Sequence, residues 1–575
     1  ESFPSSPVLR ERVFQAFRDW DGGKAKVLKK PSTLECFELE ERFALPLSRV
    51  IRSIMRREMS RRMTRTRGAY AVLSANEWVY DEWVRRRGGL TFADFPLLLG
   101  AGSNPLDRMQ VEYRLDGNYR HWMLDEFQDT SPAQWRVLKN LVDEAIQDES
   151  NTRAFFCVGD VKQAIYGWRG GDSRLFDVLK KEYADRLSTH ELNKSWRSGP
   201  DVLGAVNDVF GPTELFGSAA ERWNKAWKEH KPSKLTRNLA GQVAWWTSDD
   251  EDVRNLGVVA LLREIDPVRR GLRCAILTQK KATGRKLADF IRREFPDLAV
   301  ENEVGAKPGE DNPLSVALLS LLRAAAHPGD SFSRGHLRMT PLGELLAPDG
   351  KEEQWNDALS DTLRRIHLEG FETVVHDWGG RALEKVEPEA KEFSEGRLRH
   401  LRELARSFDE TGSREVDVFV EYVRGHESIR GTSESSVRVM TIHRAKGLTF
   451  DLVILPELGG GSLTGLRRNP RAPLNLHVQG NENGEGIDWV LDWPSTFFAQ
   501  ADPKLSRVMA AARKEACFES LCKLYVAMTR PRQGLYLFSP PFSENSKSVN
   551  FLCLLADTLD RGETDCREET AKLFA

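Results

Sequence analysis

The chain has 575 residues, which is more than one hydrophobic core usually serves, so its length predicts several domains. The 84 lysine and arginine residues nearly balance the 86 aspartate and glutamate residues, so the formal net charge of -2 neither requires nor excludes a nucleic-acid partner. Seven cysteines without a CxxC pair, no apolar leader and no run of about 18 uncharged apolar residues predict a reduced, cytosolic protein without membrane spans.

The first ninety residues have the pattern of helices, with apolar residues spaced four apart that would bury one face. Eight arginines surround this stripe, and Glu58 is the only acidic residue among them. A solvated helix face and a phosphate-binding face both fit the pattern, and we favour phosphate contacts with duplex DNA. The apolar stripe consists of Leu47, Ile51, Met55, Met59 and Met63, and the arginines expected to bind DNA are Arg56, Arg57, Arg61 and Arg62.

From about residue 120 onward, short apolar runs alternate with helices, which predicts an α/β fold with a parallel sheet. Between about 310 and 430 the pattern is helical and charged, and we interpret this stretch as a helical insertion that splits a second α/β lobe. The predicted strands are His121–Leu124, Ala154–Val158, Cys274–Thr278, Leu452–Leu455 and Leu535–Phe538.

Two adjacent carboxylates, Asp125 and Glu126, follow the first of these strands. Ser131 and Gln134 then form the pattern of a capping box at a helix start. Ligands of open α/β sheets bind where strands end. The carboxylate pair therefore predicts a Mg²⁺ ion held by Asp125 and a water molecule polarised by Glu126. An ordinary surface pair is the alternative, which the buried strand and the capped helix disfavour.

A glycine-rich segment, Gly159–Asp172, follows the next predicted strand. Gln163 could sense a γ-phosphate through its amide, and Tyr166 and Trp168 offer flat faces on which unpaired bases could stack. Core packing is the alternative for these two aromatic residues. Because four glycines and Arg169 surround them, we favour a loop that faces ligands.

Five segments, in order, resemble the motifs of superfamily 1 DNA helicases of the UvrD/RecB/AddA type. Lys162 beside Gln163 is closer to the RecB/AddA branch than to the UvrD branch. The first two segments resemble the Walker B motif and the third motif, the next resembles the motif with a γ-phosphate-contacting arginine, and the last two resemble the fifth and sixth motifs. The segments are Asp125–Thr130, Gly159–Asp172, Leu192–Ser198, Val439–Leu448 and Leu524–Arg530.

This resemblance implies two RecA-like lobes that bind ATP and Mg²⁺ between them, with single-stranded DNA across their tops and translocation from 3′ to 5′. Arg197 and Arg530 would stabilise charge on the transferred phosphoryl group. Thr441 and His443 would contact the DNA backbone. Further nucleotide contacts implied by the motifs are those of Arg169, Lys446 and Gly447.

The chain departs from the family pattern at several points. A helicase of this kind needs a loop ending in Gly-Lys-Ser/Thr to bind the ATP phosphates, and the 575 residues contain none. The chain also begins unlike a native N-terminus, so we expect an N-terminal truncation that removed the front of the first lobe; a naturally degenerate ATPase is the alternative. Thr449 replaces a usual glutamate and Ser195 a usual asparagine. Ile487, Asp488 and Asp492 faintly resemble a nuclease motif, and we interpret them as loop and strand residues.

The functional prediction is an ATP-dependent DNA helicase of recombination or double-strand-break repair that acts at junctions of single and double strands and could work with a nuclease-containing partner. The alternative is a non-catalytic DNA-binding or scaffolding protein. Six segments are predicted: 1–88, a helical accessory domain; 89–210, the rear of the first lobe; 211–308, a linker and the start of the second lobe; 309–432, the helical insertion; 433–545, the rest of the second lobe; and 546–575, a tail.

Overall fold

A computed structural model describes residues 25–30, 35–100, 114, 119–150, 152–215, 217–302, 309, 312–426, 436–459, 463, 474–480, 487–542 and 550–559. These residues fall into two compact units. Unit 1 comprises Glu1–Glu251, Ala445–Thr449 and Glu457–Ala575, and unit 2 comprises Asp252–Arg444 and Phe450–Pro456. The predicted tail at 546–575 is described only at 550–559, and its remaining residues lie outside the described part. The division into six segments stays a prediction.

The elements up to residue 247 belong to unit 1. They are β1 (Ala25–Lys30), β2 (Glu35–Leu39), α1 (Glu41–Trp83), α2 (Asp94–Gly100), β3 (His121–Leu124), α3 (Pro132–Ile146), β4 (Ala154–Cys157), α4 (Leu175–Glu182), β5 (Lys194–Ser195), α5 (Pro200–Phe210), α6 (Glu221–Ala226), β6 (Lys231–Pro232) and β7 (Gln242–Thr247).

The next elements belong to unit 2, except for single residues at the boundaries. They are α7 (Glu251–Ile265), β8 (Cys274–Thr278), α8 (Lys281–Glu294), β9 (Val300–Asn302), α9 (Pro313–Ala326), α10 (Ser331–Arg338), α11 (Pro341–Leu346), α12 (Glu352–Glu369), α13 (Phe371–Leu383), α14 (Pro388–Asp409), α15 (Val416–Gly425), β10 (Val437–Thr441), α16 (Ile442–Ala445) and β11 (Phe450–Leu455).

The chain then returns to unit 1. Its last elements are β12 (Leu476–Gly480), β13 (Ile487–Asp492), α17 (Thr496–Ala501), α18 (Pro503–Met528), β14 (Pro531–Ser539) and α19 (Phe551–Leu559). Among the described residues, no helix has both the length and the apolar character needed to cross a membrane.

The strand pairing confirms the predicted α/β fold. In unit 1, β3 pairs with β4 and β7 pairs with β14, both in parallel. In unit 2, β11, β8, β10 and β9 lie side by side in that order, and their pairs are parallel. All five predicted strands form. The missed strands include β7, β9 and β10, which are as short as the predicted strands but lack equally plain turn signals.

The helical prediction for residues 310–430 is confirmed, because every described element from α9 to α15 is a helix. These helices share one apolar core. At its centre, Phe371 and Phe419 stack with ring centroids 4.3 Å apart, and Phe408 packs against both. The buried stripes of these helices therefore face each other, as an amphipathic pattern requires.

The helical prediction for the first ninety residues is wrong in part. β1 and β2 form an antiparallel hairpin before the long helix α1. In α1, Ile51 is buried as predicted, whereas Met63, at the end of the proposed stripe, is 47% exposed. The pattern of period four was real, but it described only the front of the helix and not the residues before it.

Candidate functional site

Asp125 and Glu126 emerge at the carboxyl end of β3, as predicted, and the helix after them begins with the predicted capping box. Ser131 Oγ accepts from the Gln134 amide at 3.2 Å, and the Gln134 side chain accepts from the Ser131 amide at 2.9 Å. Glu126 adopts a left-handed backbone conformation with φ 51° and is one of two described non-glycine residues with positive φ. Such strain is uncommon outside functional sites, so it marks this position.

The Glu126 carboxylate is held by two side chains. Gln128 donates its amide N–H to one carboxylate oxygen, and the Lys446 ammonium lies 3.4 Å from the same oxygen. Asp125 accepts from the Glu126 backbone amide at 2.7 Å and is exposed. Among the described residues, no three His, Cys, Asp or Glu side chains converge enough to bind a metal unaided. An ion at Asp125 would therefore share its coordination with phosphate oxygens and water, which is how Mg²⁺ usually binds.

The glycine-rich loop packs tightly against this turn. Gln128 Oε1 accepts from the Asp160 amide at 3.1 Å. A Cβ atom on Gly159 would clash with that same oxygen and lie 3.0 Å from the Phe176 ring, so the close approach requires glycine. The loop is thereby fixed relative to Glu126.

Gln163 and Arg530 meet in a chain of hydrogen bonds. Gln163 Oε1 accepts from the Arg530 guanidinium at 3.2 Å, and Gln163 Nε2 donates to Asp160 at 3.2 Å. Asp160 also accepts from the Tyr525 hydroxyl at 3.3 Å, and that hydroxyl lies 2.6 Å from His230 Nε2. If Tyr525 donates to Asp160, His230 carries its proton on Nε2. Both atoms of the Gln163 amide are therefore engaged.

Arg197 lies in the same unit as Arg530 and is held by neutral acceptors. Its Nε donates to Thr449 Oγ1 at 2.8 Å, and its Nη1 donates to the Thr529 carbonyl at 3.0 Å. Burial lowers the pKa of Arg197. Burial, and then the positive charge of Arg197, lower the pKa of Arg530 to about 10. The two guanidinium groups therefore repel each other and favour a bound anion.

A count of charges supports this inference. The site contains four cations and three carboxylates, which leaves an excess of one positive charge before Asp125 is considered. The cations are Lys162, Lys446, Arg197 and Arg530, and the carboxylates are Glu126, Asp129 and Asp160. Because Asp125 is exposed and points to the proposed metal position, a polyphosphate with its metal ion matches the balance.

The segment Ala445–Thr449 is part of unit 1, although Arg444 and Phe450 on either side belong to unit 2. Lys446 is 5% exposed and forms ion pairs with Asp129 and Glu126. Gly447 has φ 80°, a left-handed conformation that suits glycine, and Thr449 then reaches Arg197. Thr449, which stands where the family has glutamate, thus contacts a site arginine.

Tyr166 and Trp168 lie in the loop as predicted, but they differ in exposure. Trp168 is 64% exposed, and the Arg169 guanidinium lies 4.7 Å from its ring centroid. Tyr166 is half-buried, with Lys446 and Arg169 at 5.2 and 5.6 Å from its ring. Trp168 is therefore the more accessible platform for a base.

Thr441 and His443 belong to unit 2 and are described apart from this site. Thr441 is the last residue of β10 and pairs with Thr278 of β8, at the carboxyl ends of two parallel strands. His443 lies in the short helix α16 that follows. Their predicted contacts with the DNA backbone stay predictions.

The arginine run lies along α1, and its members have different surroundings. Arg56, Arg57 and Arg61 are exposed. Arg62 instead donates to Glu58 at 2.6 Å and to Asp492 at 3.0 Å. Glu58 is thus not the only acidic partner of the run, and the contacts of Arg62 favour a structural role.

Replacing Arg56, Arg57 and Arg61 together by alanine should weaken duplex DNA binding and flatten its salt dependence. Each lost phosphate contact should reduce the slope of log K against log salt by about 0.9. Fluorescence anisotropy over a salt series measures this slope. The matched control removes three exposed arginines from the helical bundle of unit 2, Arg364, Arg399 and Arg406. Equal slopes in the two variants would identify the α1 arginines as an ordinary solvated face.

Asp492 joins the hairpin of β12 and β13 to α1. It is buried and accepts from Arg62 at 3.0 Å, from Arg65 at 3.2 Å and from the Asn475 amide at 3.0 Å. Its own amide donates to Thr66 at 2.8 Å. The interpretation of this stretch as strand rather than nuclease site is confirmed for the described residues 487–492.

Several residues of the site were not predicted from the sequence. Asp129 and Tyr525 lie inside the recognised motifs, so their position was a usable signal. Trp196 is exposed beside Arg197 and could stack on a base. His230 follows no motif, and only the folded chain brings it to Tyr525.

Carboxylates at the end of a parallel strand, paired arginines and an engaged glutamine define a nucleotide-hydrolase type of site. Residues 41–184 match the UvrD/REP helicase N-terminal domain, and residues 353–539 match the UvrD-like helicase C-terminal domain. The chain therefore belongs to the UvrD-like helicases, whose domains are RecA-like.

Similar proteins of known name agree with this family. An ATP-dependent helicase/nuclease component of Lactococcus lactis subsp. lactis is 26% identical over 525 residues, which cover 76% of this chain and 42% of that protein. The protein of the same name from Staphylococcus saprophyticus is 24% identical, over 82% of this chain and 43% of its own length. The ATP-dependent DNA helicase UvrD1 of Mycobacterium tuberculosis is 26% identical over 269 residues, 46% of this chain and 32% of its own. The chain thus spans less than half the length of these relatives.

Proposed function

We propose that this chain is the body of an ATP-dependent translocase on single-stranded DNA, which acts as a 3′ to 5′ helicase in recombination or double-strand-break repair. The observation that carries the proposal is the pair of buried guanidinium groups, Arg197 and Arg530, near the Glu126 carboxylate. Two repelling cations with an excess of positive charge around them suit a polyphosphate. The names of the relatives supply the helicase class.

Each site residue then has a chemical task. Asp125 would hold Mg²⁺, which when bound draws charge from the phosphate oxygens. Glu126 would orient and deprotonate the attacking water, while Arg197 and Arg530 would stabilise the developing negative charge. Gln163 would report the state of the phosphates to Asp160 through its amide.

The DNA contacts divide between two kinds of side chain. Trp168, and Tyr166 to a lesser degree, would stack on unpaired bases, and Thr441 and His443 would contact the phosphate backbone. The preferred substrate would be a single strand or its junction with a duplex. Because two of the relatives carry both helicase and nuclease in their names, we also propose a partner protein that contributes nuclease activity.

The proposal is tested by the preference for single strands. Anisotropy with a labelled strand of about 20 nucleotides and with the matching blunt duplex should show tighter binding to the single strand, with affinity falling steeply as salt rises. Equal affinity for the two, or no binding, would contradict a strand-tracking translocase.

A non-catalytic DNA-binding or scaffolding role is the second candidate. It is favoured by the missing Gly-Lys-Ser/Thr sequence and by Thr449, whose hydroxyl occupies Arg197 where the family has a carboxylate. Both candidates predict DNA binding. They differ in whether the complete protein turns over ATP.

We expect the 575-residue chain alone to hydrolyse no ATP, because the phosphates would lack the backbone N–H groups and lysine that normally surround them. Phosphate release with saturating single-stranded DNA should equal that of the Glu126→Gln variant. DNA-stimulated release above this variant would show that the chain binds phosphates in another way.

A further inference from the structure

We propose that Lys446 positions the aromatic loop for DNA, so that one ammonium links the stacking residue Trp168 to the carboxylate Glu126. The inference rests on the proposed function and assigns Lys446 a role beyond the nucleotide contact that its motif suggests. It is a positioning residue, because it acts through the loop rather than through a phosphate.

The Lys446 ammonium is already engaged on three sides. It pairs with Asp129, lies 3.4 Å from Glu126 Oε2 and stands 5.2 Å from the Tyr166 ring centroid. A cation at that distance is attracted by the ring. With 5% of the side chain exposed, Lys446 is a poor candidate for a DNA phosphate contact.

From Lys446 the contacts continue to the protein surface. The Tyr166 and Trp168 ring centroids are 6.4 Å apart, and Arg169 lies against both rings. Trp168 is the exposed end of this series and Lys446 its buried end. Loss of the buried cation would therefore loosen the ring on which the exposed indole depends.

Asp129 explains why the cation stays in place. Its Oδ2 binds Lys446, whereas its buried Oδ1 has no hydrogen-bond partner among the described residues. Lys446 is thus the main compensation for a partly buried carboxylate, and burial raises the pKa of Asp129. Removing the ammonium would leave Asp129 and Glu126 to repel each other beneath the loop.

Single-stranded DNA binding by Lys446→Met tests the proposal, with Lys446→Arg as the charge-conserving variant. Methionine keeps most of the length of the side chain and removes its charge. We expect about a threefold to tenfold loss of affinity, because DNA must then order the loop itself, with most of the loss restored by arginine. Lys139→Met, which removes another half-buried, ion-paired lysine of unit 1, should bind like the parent.

Two further readouts separate positioning from a phosphate contact. A lost contact with a single strand would reduce the salt slope by about 0.7, whereas a positioning role leaves it unchanged. In a double-mutant cycle, Lys446→Met should add little to Trp168→Ala if both act through the loop. A reduced slope, or losses that multiply, would overturn the proposal.

The result also separates this inference from the proposed function. If Trp168→Ala weakens binding and Lys446→Met does not, only the inference fails. If the parent binds no DNA, both fail. Should Lys446→Met not fold, Asp129→Asn provides the second test, because it weakens the hold on Lys446 and should reduce affinity in the same direction.

Discussion

Replacing Asp492 by asparagine should destabilise the attachment of the β12 and β13 hairpin to α1 by about 3 kcal/mol. The buried carboxylate compensates Arg62 and Arg65, and asparagine would leave both guanidinium groups short of negative charge. Hydrogen–deuterium exchange at residues 487–492 measures the effect. Protection there should fall by about two orders of magnitude if exchange reports local opening.

Asp488→Asn is the matched control, because it makes the same chemical change on the same strand at an exposed position. A surface change of this kind should alter stability by less than about 0.5 kcal/mol. Similar exchange in the two variants would mean that the contacts of Asp492 contribute little to holding the hairpin.

Replacing Trp168 by alanine should weaken single-stranded DNA binding by about 1–3 kcal/mol, which is about 5-fold to 150-fold. The indole is the most accessible flat surface of the loop, and stacking on it releases no counterions. The slope of log K against log salt should therefore stay unchanged while the affinity falls. Anisotropy at several salt concentrations gives both quantities.

Trp78, on α1, provides the control, since it is 69% exposed and lies outside the loop. Trp78→Ala should leave single-strand affinity unchanged. A loss confined to Trp168 supports the loop as the stacking site, whereas equal losses would indicate nonspecific aromatic contacts.

Local sequence patterns predicted those parts of the fold that depend on neighbouring residues. Short apolar runs gave all five predicted strands, and the capping box at Ser131 and Gln134 has the expected geometry. The hairpin of β1 and β2 was missed because attention to a helical period hides alternation over five or six residues.

Contacts between distant residues could not be predicted in this way. Lys446 and Asp129 are 317 positions apart, and Arg197 and Thr449 are 252 apart. The family resemblance indicated that these motifs share a site but not which atoms meet. It also left Thr449 as a lost contact, whereas the structure makes it a partner of Arg197.

The short segment Ala445–Thr449 has a consequence for how this protein can tolerate change. Lys446 and Thr449 are three residues apart, and each holds a different group of the site, the first Asp129 and Glu126, the second Arg197. One inserted residue would add up to about 3.5 Å of chain, more than either hydrogen bond can absorb. Substitutions within the segment can therefore be graded in effect, but a change in its length should displace both groups at once.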